Sequence, residues 1–331
     1  MKNGKMNYSL QLLRLILSFW VVLHHSYSKI HKIMNKGRFH VPTFMIMSFY
    51  FYYSTSKTKN ITKIKQRFQR ILIPYIIWPI FTFIINNILF KYFRFSLYNK
   101  KLLLKNLIEQ LILGAGYHNL FYFLFILIIL TILFTIISFL YNKSFIFILQ
   151  ISLIAAYILQ YSYWNLYIFS QYSKVITYSL GEIVEFLPFA VMGFTLRYID
   201  IIAKIIKFKE LSIFFSIVII FLILEFDIFV IIKGFWYSGI LLNLGGICIF
   251  ILFSSFSLQN RKIIILLKII TKFTGGIYYI HLISRNILRQ KFLFIANRTF
   301  SGSISIYITS YIICFIGNKL SCETKLKFLF N

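Results

Sequence analysis

Long apolar runs separated by short basic segments make up almost the whole chain. A helix needs about 20 apolar residues to cross a bilayer. Ten runs approach or reach this length, and they lie at residues 9–28, 40–56, 70–90, 118–140, 144–160, 175–196, 211–232, 236–256, 262–282 and 303–318. The pattern predicts an all-α, polytopic integral membrane protein with about ten transmembrane helices, in which residues 1–331 form a single domain.

Composition supports this class and narrows the set of partners. The chain is 59% hydrophobic, whereas soluble domains are about 45–50% apolar. A net charge of +28 can indicate nucleic-acid binding, but here the cations lie in short segments between apolar runs, where they would meet lipid headgroups. We therefore expect the lipid bilayer as a partner and no nucleic acid. The three cysteines, Cys248, Cys314 and Cys322, lack metal-ligand spacing, so we expect no metal and no structural disulfide.

The distribution of cations also predicts an orientation. If the N-terminus is cytoplasmic, 20 of the 36 Lys and Arg residues lie in inside segments and 15 in outside segments. Because inside loops are enriched in Lys and Arg, this excess favours both termini inside. All six histidines then lie on or toward the outer side.

The first apolar run contains two residues that are costly in a membrane, Arg14 and His25. Their separation is roughly 16 Å along an α-helix, and they fall within about 20° of the same face. A membrane arginine usually faces a bundle interior or a water-filled cavity and marks function. The alternative is an arginine that snorkels to the interface and a histidine that bonds a neighbouring helix.

Four motifs occur in order along the chain. Arg-x10-His comes first, then Arg-x-x-Arg before ILIPYIIW, then HNLFYFLFILIIL, then GGIYYIHL; their polar residues are Arg14, His25, Arg67, Arg70, His118 and His281. Together they resemble the membrane acyltransferase 3 family, bacterial O-acyltransferases that modify surface glycans. The resemblance covers nearly the whole chain. The chain departs from the family pattern at Ser48-Phe49, where Ser-Gly is usual, and at His118-Asn119, where His-Leu is usual.

The resemblance implies a transferase of the bacterial cytoplasmic membrane that moves acetyl from acetyl-CoA, a co-substrate, to a hydroxyl of a surface polysaccharide or its lipid-linked precursor. Capsule, O-antigen and exopolysaccharide are the expected acceptors. It assigns His25 and Arg14 to catalysis, and Arg14, Arg67 and Arg70 to binding of the acyl-CoA. Histidine suits proton removal near neutral pH, so His25 is the expected general base, and a covalent acyl-histidine is the second possibility. Arginine suits phosphate recognition.

Further residues are candidates for support of the site or the acceptor, namely His281, His118, Tyr278, Glu225 and Asp227. Acidic residues inside a membrane are functional candidates by default, although a structural ion pair explains Glu225 and Asp227 equally well. Three rival functions stay open at this point: a polysaccharide transporter or flippase, a surface-polysaccharide polymerase, and an inactive family member acting as a partner subunit. The oligomeric state is left open.

Overall fold

The computed structural model describes most of the chain, and the described residues form helices and turns without a strand. They are residues 7–26, 39–93, 101–114, 121–140, 147–148, 150–155, 157–158, 174–201, 204, 207–225, 240–291, 299–321 and 329–330.

The main helices follow one another along the chain. They are α1 (Tyr8–Ser26), α2 (His40–Lys57), α3 (Ile61–Phe93), α4 (Leu104–Leu113), α5 (Phe121–Leu140), α6 (Lys174–Tyr198), α7 (Lys209–Glu225), α8 (Ile240–Ser255), α9 (Arg261–Ile270), α10 (Thr274–Lys291) and α11 (Phe300–Leu320). A short 3-10 turn joins α9 to α10.

Several of these helices suit a membrane by length and composition. Among the described residues, four helical stretches are long and apolar enough to cross one, at Ile61–Tyr92, Phe121–Phe139, Arg261–Leu288 and Phe300–Leu320, and Leu242–Ser255 is a shorter apolar helix. The stretch Arg261–Leu288 includes α9, the 3-10 turn and most of α10. The outward faces of these helices carry large apolar side chains that are exposed, such as Ile84, Ile136 and Ile308. The predicted all-α membrane class is confirmed, whereas the number of spans and their orientation stay predictions.

Helices α1 and α2 lie at the centre of the bundle. Helix α1 packs against α2, α8, α9, α10 and α11, and α2 packs against α1, α3, α5, α6 and α8. The buried face of α1 includes Leu10, Leu13, Leu17 and Val21, spaced three and four residues apart. Because residues at this spacing share a helix face, one stripe of leucine and valine fixes α1 inside the bundle.

Helices α2 and α6 run parallel and approach closely at Gly193. A Cβ atom at Gly193 would lie 2.4 Å from the backbone oxygen of Ile46. Further along both helices, Arg197 Nη1 donates to the Tyr50 hydroxyl at 3.1 Å. The glycine therefore allows backbone contact between the two helices, as small residues do in membrane bundles.

Serine side chains connect α11 to α1 and α10. The Ser18 hydroxyl lies 3.0 Å from that of Tyr307, and the Ser26 hydroxyl donates to Ser303 at 2.7 Å. Ser310 donates to Ser284 of α10 at 3.0 Å. Along α1, rising residue numbers meet falling numbers on α11, so these two helices are antiparallel.

Candidate active site

Arg67 of α3 is held by side-chain contacts with two other helices, α2 and α5. Its Nε donates to Thr131 of α5 at 3.2 Å, Nη1 donates to the Ser48 carbonyl of α2 at 3.3 Å, and Nη2 donates to the Ser48 hydroxyl at 3.0 Å. The guanidinium also lies 4.3 Å from the ring centroid of Tyr52. A guanidinium has five N–H groups, so two of them have no partner among the residues that the structure describes.

A cleft of about 400 Å³ opens beside this guanidinium. Its lining is strongly cationic, with Arg67, exposed Arg70 and exposed Lys63 on one stretch of α3. The full set is Ser48, Phe51, Tyr52, Lys63, Gln66, Arg67, Arg70, Ile71 and Leu127. No carboxylate contributes to this lining, so the cleft has the character of an anion site.

Arg14 extends the cationic region into the bundle. The side chain is half-buried on α1 and lies near enough to Arg70 and Tyr279 for their charges to affect it. Within the described part of the chain, no ion pair joins Arg14, Arg67 or Arg70 to a carboxylate. Such a cluster of like charges is stable only if water or an anionic ligand screens it.

At the other end of α1, His25 meets His281 of α10, with ring centroids 5.4 Å apart. His281 is 1% exposed, and its Nδ1 lies 2.8 Å from the Tyr278 carbonyl and 3.3 Å from that of Ile277. Because a carbonyl only accepts, Nδ1 carries the proton of the neutral ring. The other nitrogen, Nε2, is buried and has no hydrogen-bond partner among the described residues.

Two further histidines lie at the same end, which we call the histidine end. His24 packs against the His25 ring at 5.4 Å and against His40 of α2 at 5.2 Å. His24 therefore faces α2, while His25 faces α10. Despite this clustering, no group of three or more His, Cys, Asp and Glu residues in the described ranges is arranged to hold a metal.

Arg285 is a site residue that the sequence interpretation missed. It lies one helical turn beyond His281, and its Nη1 donates to the His25 carbonyl at 2.8 Å. Its Nε and Nη2 both donate to the Asn286 side-chain oxygen at 3.2 Å. The spacing of four residues from His281 was the available signal, because it puts both residues on one helix face.

Of the remaining sequence-predicted candidates, the structure describes the side chain of Tyr278 but not those of Glu225, His118 and Asp227. Tyr278 lies beside the histidine pair, with its ring 6.2 Å from that of His281. Glu225 ends α7, but its side chain lies outside the described residues, as do His118 and Asp227 altogether. Tyr279, rather than Tyr278, is the tyrosine that interacts with Arg14.

Comparison with known proteins assigns the chain to a family. A family model described as an acyltransferase domain matches residues 7–319, which include every described residue of both arginine and histidine groups. The chain belongs to the acyltransferase 3 family. No curated protein and no solved structure gives a match. The resemblance inferred from the four motifs is confirmed.

The departure at Ser48-Phe49 has a structural counterpart in this membrane acyltransferase. Ser48 keeps a polar role, since it accepts two bonds from Arg67. Phe49 is fully buried and packs on Phe134 at 5.2 Å. The glycine that permits close packing is on the facing helix α6, at Gly193, whose Cβ would also lie 3.0 Å from that of Phe49.

Proposed function

We propose that this membrane acyltransferase transfers acetyl from acetyl-CoA to a hydroxyl of a cell-surface polysaccharide or its lipid-linked precursor. One observation carries the proposal: Arg14, whose charge is close enough to affect Arg70 of the cationic cleft, lies on the same helix as His25 of the histidine pair. Bound acetyl-CoA would need cationic partners for its phosphates, and the acetyl group would need an imidazole for its transfer.

Arg67 and Arg70 are the proposed contacts for the donor phosphates. Arg67 is preorganised by Thr131 and Ser48, so little side-chain entropy is lost when it binds. Its two remaining N–H groups can bind a phosphate bidentately, as guanidinium groups often do. Arg70 adds a second, exposed cation on the same cleft.

Arg14 is the proposed connection between the donor cleft and the histidine end. It interacts with Arg70 of the cleft and with Tyr279, which lies two residues before His281 on α10. In this proposal the extended arm of acetyl-CoA follows the Arg14 side of α1 toward His25.

His25 is the proposed catalytic imidazole, either as general base or as a covalent carrier of the acetyl group. Its ring is half-buried, and no hydrogen bond joins it to another described residue. Arg285 fixes the backbone at this position through the His25 carbonyl. An imidazole on a fixed backbone with free ring nitrogens suits either role.

The test is to compare surface glycans from cells with and without the gene, and from cells carrying His25→Ala, by NMR. We expect the O-acetyl signal to disappear with the gene, to return with the wild-type copy, and to stay absent with His25→Ala. His24→Gln is the matched control, because the neighbouring ring faces α2 instead of α10. It should restore the signal.

Other outcomes would identify a different function. A full O-acetyl signal with normally inserted His25→Ala protein would refute the catalytic role of His25, whereas an O-acetyl signal unchanged by loss of the gene would refute the proposed function. A change in glycan chain length would favour a polymerase, and loss of surface glycan with its acetylation unchanged would favour a flippase. Incubating purified protein with labelled acetyl-CoA then tests the donor directly.

A further inference from the structure

The two imidazoles of the histidine pair have different surroundings, although their ring centroids are only 5.4 Å apart. The His281 ring is almost fully buried, and its proton is fixed on Nδ1 by the carbonyls of its own helix. His281 Nε2 is therefore a bare lone pair, and no described residue donates to it. Leaving a polar atom buried without a partner is unfavourable, and a bound hydroxyl group would supply the missing hydrogen bond.

The His25 ring is less enclosed and less constrained. It is half-buried, and no described residue forms a hydrogen bond to its nitrogens. It shares a helix with Arg14, which connects to the donor cleft. A thioester that arrives from the arginine cleft would therefore reach the His25 ring first. In the His281 ring, the proton on Nδ1 leaves Nε2 as the basic nitrogen.

We propose that the two imidazoles divide the reaction, with His25 as the carrier of the acyl group and His281 as the general base for its transfer. The assignment rests on the acyl transfer proposed above. An acyl group on His25 would lie against the His281 ring because the rings are in contact. A hydroxyl that attacks this acyl group is then within reach of His281 Nε2.

The first step forms acyl-His25. A His25 ring nitrogen attacks the thioester carbonyl carbon, a C–N bond forms, and the C–S bond breaks. The proton on the other His25 nitrogen is released and the departing thiolate takes it up. The products are neutral acyl-His25 and free CoA thiol.

The second step transfers the acyl group to the glycan. The acceptor hydroxyl oxygen attacks the acyl carbon while His281 Nε2 takes the hydroxyl proton. The C–N bond to His25 breaks, and His281 returns the proton to the His25 ring. The ester leaves with both imidazoles neutral, and donor and acceptor never need to occupy the site together.

The decisive variant is His281→Asn in the full-length protein, purified in lipid nanodiscs and incubated with radiolabelled acetyl-CoA. The asparagine amide can donate to the Tyr278 carbonyl as Nδ1 does, but it has no basic nitrogen. We expect His281→Asn to accumulate stable label, which mass spectrometry locates on His25, while transfer to glycan falls by roughly 100-fold or more. Wild-type protein should be labelled and then release its label to added glycan, and His25→Ala should take up none. Asn260→Ala, which removes only the side-chain cap of α9, should behave as wild type.

Several results would overturn the division of roles. The proposal fails if neither the wild type nor His281→Asn takes up label, or if the label lies on a residue other than His25. It also fails if His281→Asn transfers the acetyl group to glycan at the wild-type rate. His281→Gln is the second variant and must show the same accumulation. Glycan acylation by His25→Ala would defeat the carrier role and leave the proposed function intact, as would an inactive His25→Ala with no label on the wild type. Wild-type protein that neither takes up label nor acetylates glycan would defeat the proposed function itself.

Discussion

Replacing Gly193 with alanine would introduce one methyl group at the closest backbone approach of α2 and α6. The new Cβ would lie 2.4 Å from the Ile46 oxygen and 3.0 Å from both the Phe49 Cβ and the Tyr50 nitrogen. Because ordinary van der Waals contact begins at 3.4 Å, the backbones of α2 and α6 would have to move apart by about 1 Å. Two of these atoms belong to the backbone, so no side chain can rotate away.

We expect this substitution to cost about 1–3 kcal/mol, the usual range for an overpacked core. The value should lie at the upper end, because a whole helix pair must separate and lose dispersion contacts along its length. Unfolding of the purified protein in mild detergent by denaturant, followed by tryptophan fluorescence, measures the loss. The KM for acetyl-CoA should also rise, since the Phe49 ring next to Gly193 lies 5.2 Å from the Arg67 guanidinium.

Gly246→Ala is the matched control. It is also a helical glycine facing α2, but its Cβ would meet the flexible end of Ile46 at 3.1 Å. A cost well below that of Gly193→Ala is therefore expected. Equal stability of Gly193→Ala and wild type, or an equal loss in both variants, would refute the packing argument.

Four other substitutions test separate contacts. Ser48→Ala removes the hydroxyl that accepts from Arg67 Nη2 at 3.0 Å and should raise the KM for acetyl-CoA several-fold with kcat nearly unchanged, measured by initial rates; a pure loss of kcat would contradict the donor assignment. Arg285→Gln removes the bond to the His25 carbonyl and should lower kcat about tenfold for a loss of about 1.4 kcal/mol, with unchanged kcat as the contrary result. Ser303→Ala breaks the bond from Ser26 and should cost about 0.6 kcal/mol of stability, the average for such bonds in membrane bundles. Asn260→Ala removes the side-chain cap of α9 and should lower the free energy of unfolding by about 1 kcal/mol. The acylation rate should stay unchanged, and measuring unfolding and activity on the same preparation tests both expectations.

Much of the fold was predictable because membrane helices follow local composition. The runs at 40–56 and 303–318 correspond closely to α2 and α11. Boundaries were less predictable: α3 begins at Ile61, nine residues before the predicted run. The segment between contains Lys63, Lys65 and Arg67, and charged side chains lower hydropathy without breaking a helix. Hydropathy therefore locates the apolar core of a helix better than its polar extension.

The candidate site was predictable by residue type and motif, but its contacts were not. The spacing of Arg14 and His25 put both on one helix face, and the IYYIH motif selected His281. The contact between His25 and His281 joins residues far apart in sequence, so only the packing of α1 against α10 reveals it. Arg285 could not be selected from the sequence by its bonding partner, because its bond is to the His25 backbone carbonyl, and any residue type can supply that acceptor.

The position of Arg67 among α2, α3 and α5 has a thermodynamic consequence. An anion that binds its two remaining N–H groups binds only when Ser48 and Thr131 hold the guanidinium in place, and therefore only in the folded bundle. Mass action then adds about 2.7 kcal/mol to the unfolding free energy at a ligand concentration 100 times its Kd. If CoA compounds are the donors, as proposed, heat resistance in their presence would consequently report occupancy of the arginine cleft without any acceptor, even in a catalytically dead protein.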